Sequence, residues 1–127
     1  MEQIVKLIVA VPEAHEEKVR LALGKAGAGR IGNYDYCSFV YKGVGHYRPL
    51  EGTKPFIGEH GAIADVAEVH IATVCFVSDL PRVLAAMREA HPYEEIAYDI
   101  IPLRNHEFAH LVPRKNNNGK KHNGKKP

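Results

Sequence analysis

Several things are scarce or missing in these 127 residues, and each absence excludes something. No apolar run approaches the roughly 18 residues that a membrane-spanning helix needs, so no membrane partner is expected. There are 2 cysteines, Cys37 and Cys75, and they form no CxxC pair, so a disulfide framework is excluded. Both sit in apolar, strand-like text and read as buried thiols of a reducing cytoplasm, the expected localisation. Strands bearing them side by side would also let them share a soft metal or oxidise. The opening MEQIVKLIVAVPEAHEEK has acids at both ends of its short apolar run, unlike a signal peptide.

Acid is absent from one stretch altogether. Residues 114–127 contain six bases (Arg114, Lys115, Lys120, Lys121, Lys125, Lys126) and no Asp or Glu. Of the 17 Lys and Arg, 11 then remain in residues 1–113 against 15 acids, so the body is near −4 although the whole chain is +2. The basic balance belongs to the tail and implies no specific nucleic-acid groove. Low-complexity Asn, Gly and Lys cannot build a core, which divides the chain into a folded domain over 1–112 and a disordered basic tail over 113–127.

What remains is an ordinary globular composition, 45% hydrophobic and 25% charged. A body of this size buries roughly 65% of its unfolded surface without staples. Gln3–Val11 is β-branched, apolar and closed by Pro12, the pattern of a strand buried on both faces. Glu13–Lys25 reads as a helix with acids at its positive end. Tyr34–Tyr41 is an aromatic strand, Lys42–Asp65 a long glycine- and proline-rich loop, and Val66–Val77 a third strand. Asp79 and Pro81 open a second helix, which ends at His91–Pro92, and Ala97–Leu103 is a fourth strand. The order βαββαβ predicts a ferredoxin-like α+β fold, a four-stranded antiparallel sheet with two helices on one face. Two helices cover one face only, yet Ile4 and Ile8, and Ala72, Val74 and Phe76, place apolar side chains on the other. Burial against another copy is the expected remedy.

Gly27-Ala28-Gly29-Arg30-Ile31-Gly32 has the spacing of a dinucleotide-binding turn, but it follows a helix and leads into a strand. The expected role is a glycine helix cap and turn. The loop Lys42–Asp65 is too aromatic for disorder: it completes a subunit interface, or it holds a ligand. As a site it offers Lys42, Arg48 and Lys54 to an anion, and His46 and His60 to a metal. His91-Pro92-Tyr93-Glu94-Glu95 combines an imidazole with two carboxylates, ligand types for a divalent cation, at a place where His and Pro also serve simply to end a helix.

Longer motifs carry a resemblance. Gly27 to Phe39 (GAGRIGNYDYCSF), Gly43 to Pro49 (GVGHYRP), Pro55 to Gly58 (PFIG) and Ala90 to Asp99 (AHPYEEIAYD) resemble the inserted domain of the YqfO-type, Nif-three-like proteins. His-Pro-Tyr followed by a strand ending Ile-Pro-Leu is similar to the closing segment of CutA proteins. Both imply the fold shared with PII signalling proteins, and with it a trimer, in which the long loop takes the place of a ligand-sensing loop. The residues that match the insert are Gly27, Gly29, Gly32, Asn33, Tyr34, Cys37, Ser38 and His91 to Glu95. The dinuclear metal motifs of full-length members have no counterpart here, so no hydrolase activity follows and no catalytic residue is assigned.

The expected function is a non-enzymatic, homo-oligomeric PII/CutA-like module that binds a small ligand or a divalent metal ion, or regulates a partner. Its candidate ligand-binding residues are Lys42, Arg48, Lys54 and Tyr93, and its candidate metal ligands are His46, His60, His91, Glu94 and Glu95. A divalent metal is the cofactor such residues suit. The alternative is a structural module docking on a protein partner. A metal-dependent hydrolase using His91 with Glu94 or Glu95 ranks last, for want of a nucleophile.

Overall fold

A computed structural model describes residues 2–115. Strand β1 runs over Ile4–Pro12, and a single 3₁₀ turn at Glu13–His15 leads into helix α1, Glu16–Lys25. Strand β2 is Ser38–Tyr47 and β3 is Ala64–Phe76; a second 3₁₀ turn then opens α2, Leu80–Ala90. Strand β4, Tyr98–Pro102, is followed by a four-residue helix α3, Asn105–Phe108. The strands form one sheet in the order β2-β3-β1-β4, every pair antiparallel. This is the expected ferredoxin-like α+β architecture, with α3 added beyond it. The basic tail expected over 113–127 lies, from residue 116, outside the described residues.

The core follows from alternation. Val5, Leu7, Val9 and Val11 of β1, with Val69, Ile71, Thr73 and Cys75 of β3, are buried beneath Val19 and Leu23 of α1 and Val83, Met87 and Ala90 of α2. On the opposite face Ile4, Ile8, Ala72, Val74 and Phe76 are half-buried, and Phe39 stands 70% exposed. The sheet is therefore apolar on both sides, as its sequence implied, and α1 and α2 both pack on the first face.

Strand β2 differs from expectation. Tyr34–Tyr41 was the expected span, but the chain before Ser38 is folded into turns. Ile31 and Tyr34 exchange backbone hydrogen bonds of 2.9 Å around Gly32, and Tyr36 takes a left-handed φ of 57°. Residues 42–47, expected in the loop, instead continue the strand, because the 13 residues of β3 supply partners from Lys42↔Val69 to Tyr47↔Ala64. The loop shrinks to residues 48–63. Cys37 lies just outside β2, and both thiols are free. Cys37 Sγ points at the Asp35 carbonyl (3.8 Å) and Cys75 Sγ at that of Phe76 (3.2 Å).

The glycine segment caps α1. The Gly27 N–H donates to Gly24 (3.1 Å) and the Ala28 N–H to Leu23 (3.0 Å), the paired bonds of a Schellman motif, with Gly27 at φ 116°. Gly29 then comes so close to β2 that a Cβ there would stand 2.5 Å from the Cys37 carbonyl oxygen.

Candidate functional site

The β3–α2–β4 connection brings the end of α2 back beside the carboxyl end of β1. His91 is extended (ψ 136°), and the Pro92 after it prevents a further helical turn. The imidazole is 6% exposed and fully engaged. Its Nε2 donates to the Ala10 carbonyl at 2.7 Å, and its Nδ1 accepts the Tyr93 N–H at 3.1 Å. Burial pulls its pKa below the ordinary 6.5, against the raising influence of the Ala10 hydrogen bond and the Glu68 charge. His91 is thus a neutral strut that sets Tyr93.

Tyr93 is the centre of the site. Its hydroxyl donates to Glu68 Oε2 at 2.8 Å, and its ring lies 5.9 Å from Tyr47 and 6.3 Å from Phe56. Burial, reinforced by the hydrogen bond to Glu68, raises its pKa far above that of a free tyrosine, so the phenol stays a neutral donor. Glu68 projects from β3 on the helix-free face, across from Gly43. Its Oε1 lies where a side chain on Gly45 would be, 2.0 Å from an added Cβ. Gly45 is therefore required for the carboxylate to fold over β2.

The 48–63 loop closes the other side. The Lys54 N–H donates to Glu94 Oε1 at 2.6 Å, the Tyr47 hydroxyl to the Ile57 carbonyl at 2.7 Å, and Thr53 Oγ1 to Leu50 at 2.7 Å. Between loop, turn and sheet lies a cleft of about 390 Å³, walled by Tyr47, Pro49, Pro55, Phe56 and Tyr93, with Glu68, Glu94 and Glu95 among its polar lining.

The structure brings together some of the expected site residues and separates others. Tyr93, Glu94, Glu95 and His46 line the cleft, whereas His60, Arg48 and Lys54 do not. His60 Nε2 is taken by the Thr53 carbonyl at 2.7 Å, and Lys54 participates through its backbone. Lys42 lines an adjoining depression of about 230 Å³, its Nζ 3.4 Å from Glu13. The expected anion grip of Lys42, Arg48 and Lys54 is not assembled.

The five expected metal ligands also fail to converge. His91 and Glu94 have H-x-x-E spacing, but both His91 nitrogens are spent, and His46 Nδ1 is 2.7 Å from Asp65. A second motif, His106-Glu107-Phe108-Ala109-His110, has H-E-x-x-H spacing. That spacing serves zinc only on a continuous helix, and α3 ends at Phe108. Among the described residues no group of three or more His, Cys, Asp or Glu is placed to hold a metal ion. Sequence reading missed Glu68, whose signal was an acid alternating onto an apolar strand face.

The fold places the chain among CutA-like, PII-like ferredoxin folds. CutA from Synechococcus elongatus superposes with a TM-score of 0.60 over 81% of this chain and 79% of that one, at 18% identity. CutA from Nostoc gives 0.57 over 83% and 84%, at 20% identity. Within that class the chain is homologous to a segment of the NIF3-related proteins. It is 53% identical over 104 residues to the GTP cyclohydrolase 1 type 2 homolog of Halalkalibacterium halodurans, covering 82% of this chain and 28% of that protein. The Bacillus subtilis protein of the same name is 53% identical over 98 residues, covering 77% and 26%. A Bacillus cereus protein related to NIF3 has a TM-score of 0.72 at 47% identity, over 82% of this chain and 26% of that one. The chain therefore spans about a quarter of the length of these relatives. No family model matches it. Among the described residues no helix is long and apolar enough to cross a membrane.

Proposed function

We propose that this domain is a non-enzymatic, self-associating CutA/PII-like module that binds a small ligand in the cleft beside Tyr93. The observation that carries this is the cleft itself: a loop, a helix-ending turn and a bare sheet face converge on one apolar-walled volume of about 390 Å³. Support for a binding rather than a catalytic role comes from its lining. It contains no serine or cysteine, and its Thr53 hydroxyl is donated to a backbone carbonyl. Support for self-association comes from the apolar second face, with Phe39, Tyr41 and Ile101 exposed on it in a single subunit. The trimer that likeness to PII proteins implies has three equivalent clefts.

Native mass spectrometry of the purified protein is the direct test. The expected spectrum is an oligomer retaining a small molecule, displaced when Tyr93→Ala opens the cleft. A monomer with no retained species, and no cleft resonance moved by any small molecule, refutes the proposal.

A second reading is favoured by one observation. Homology to a quarter-length segment of larger proteins fits a structural module docking on a protein partner. Ile31 and Tyr34, 55% and 75% exposed on the tight turn before β2, offer the apolar side chains for it. Co-purification of such a partner, abolished by Tyr34→Ser and indifferent to Tyr93→Ala, selects this reading.

A further inference from the structure

Resting on the proposal that the cleft is a ligand site, we infer that its ligand is an organic cation: an ammonium or guanidinium group on a short apolar body. The argument starts from what lines the volume. Its formally charged side chains are Glu68, Glu94 and Glu95, and none of its 14 lining residues is Lys or Arg. Three carboxylates facing a partly enclosed, low-dielectric space concentrate negative potential there, which repels anions and attracts a single positive charge. The polarity is the reverse of the Lys42, Arg48 and Lys54 grip that the loop suggested.

Geometry narrows the cation. Tyr47, Phe56 and Tyr93 form a continuous aromatic wall, with centroids of neighbouring rings 5.9 Å and 6.3 Å apart. Ring faces attract a weakly hydrated cation and accept its alkyl body, whereas a bare metal ion needs several oxygen or nitrogen ligands at once. No such ligand group exists among the described residues. The carboxylate is preorganised as well. The Tyr93 hydroxyl holds Glu68 Oε2 at 2.8 Å, and the space above Gly45 accommodates Oε1, leaving that oxygen to accept from an ammonium or guanidinium N–H. Glu94, whose Oε1 accepts the Lys54 N–H at 2.6 Å, ties the loop to the turn and lines the same space. A volume of about 390 Å³ admits a group of the size of butylguanidinium.

The test is an NMR titration of the full chain with n-butylguanidinium chloride and tetramethylammonium chloride. Sodium butyrate, sodium phosphate and neutral butanol serve as matched controls at constant ionic strength. The expected result is saturable shifts at Tyr93, Phe56 and Glu68 with the cations alone, and affinity reduced about tenfold in Glu68→Gln, which keeps the acceptor for Tyr93 but loses the charge. The double variant Glu94→Gln/Glu95→Gln, altering exposed positions, provides the same readout if Glu68→Gln does not fold. A free metabolite and a basic side chain from a second copy share this chemistry. Sedimentation separates them: an assembly loosened by Glu68→Gln identifies the second copy, and an unchanged one identifies the metabolite. Shifts with butyrate, phosphate or butanol but not with the cations overturn the cation while leaving the cleft a binding site. Cation affinities in Glu68→Gln and the double variant equal to that of the wild type also overturn it. No shift with any probe overturns both proposals.

Discussion

His91 shows how far context changes a residue's chemistry. Beside two glutamates in the sequence it has the makings of a metal ligand or a proton carrier. Packed under the turn, it donates to Ala10, accepts from Tyr93 and has a depressed pKa. The depressed folded pKa lies below the unfolded value near 6.5, so the unfolded chain binds more protons in that interval. Stability contributed by neutral His91 is complete above pH 6.5 and is lost as pH falls through the folded pKa. Urea midpoints measured from pH 7 to pH 5 are expected to drop more steeply in the wild type than in His91→Gln, whose amide still donates to Ala10. Parallel slopes would mean that the imidazole is not held neutral. The thiols give a second check at this scale. Burial, with a smaller contribution from Asp79, pushes the Cys75 pKa up to about 11, whereas Cys37 lies half-buried just before β2. Iodoacetamide at neutral pH, followed by peptide mass spectrometry, is expected to modify Cys37 well before Cys75.

Among the elements, the glycine segment after α1 was legible in the order of its neighbours. A helix before it and a strand after it left capping as the role, and the Schellman bonds of Gly27 and Ala28 fulfil it. Gly27→Ala forces a side chain into φ 116° and is expected to cost about 1–3 kcal/mol, read as a lowered urea midpoint. Gly29→Ala is expected to cost more, because its Cβ meets backbone atoms of Cys37 at 2.5 and 2.6 Å and cannot be relieved by a side-chain rotation. Equal midpoints for the two variants would show that β2 yields. The extent of β2 was not legible. Glycines 43 and 45 look like loop residues, yet β3 is long enough to pair them, and pairing with a neighbour outweighs the weak local preference of either residue. The aromatic run Tyr34–Cys37 looked like strand and became turn, because close approach of Gly29 to Cys37 redirects the chain there.

For the whole molecule, the governing feature is a sheet with two apolar faces and helices for one. Phe39 is 70% exposed in a single subunit, so Phe39→Glu costs an isolated subunit little, within about 0.5 kcal/mol, but buries a charge wherever that face meets another copy. Sedimentation velocity at micromolar concentration is expected to shift from the assembly toward the monomer in this variant, with far-UV circular dichroism unchanged. A wild type already monomeric would leave the second face bare and refute self-association.

Periodicity and order alone determined the strands of the core, both main helices, their ferredoxin-like succession and the excess of apolar surface, because burial repeats every second residue in a strand and every third or fourth in a helix. Motif spacing likewise pointed to the loop and to His91–Glu95 as the places where polar chemistry gathers. What only the tertiary structure decided is the sign of that chemistry. Lys42 and Glu68 are 26 residues apart and Glu68 and Tyr93 are 25, distances that carry no information until the antiparallel register sets a carboxylate beneath a phenol and leaves the lysine on the opposite side of the sheet. Charge acts through space and not along the chain, so a loop read for its Lys and Arg side chains borders a cleft lined by carboxylates.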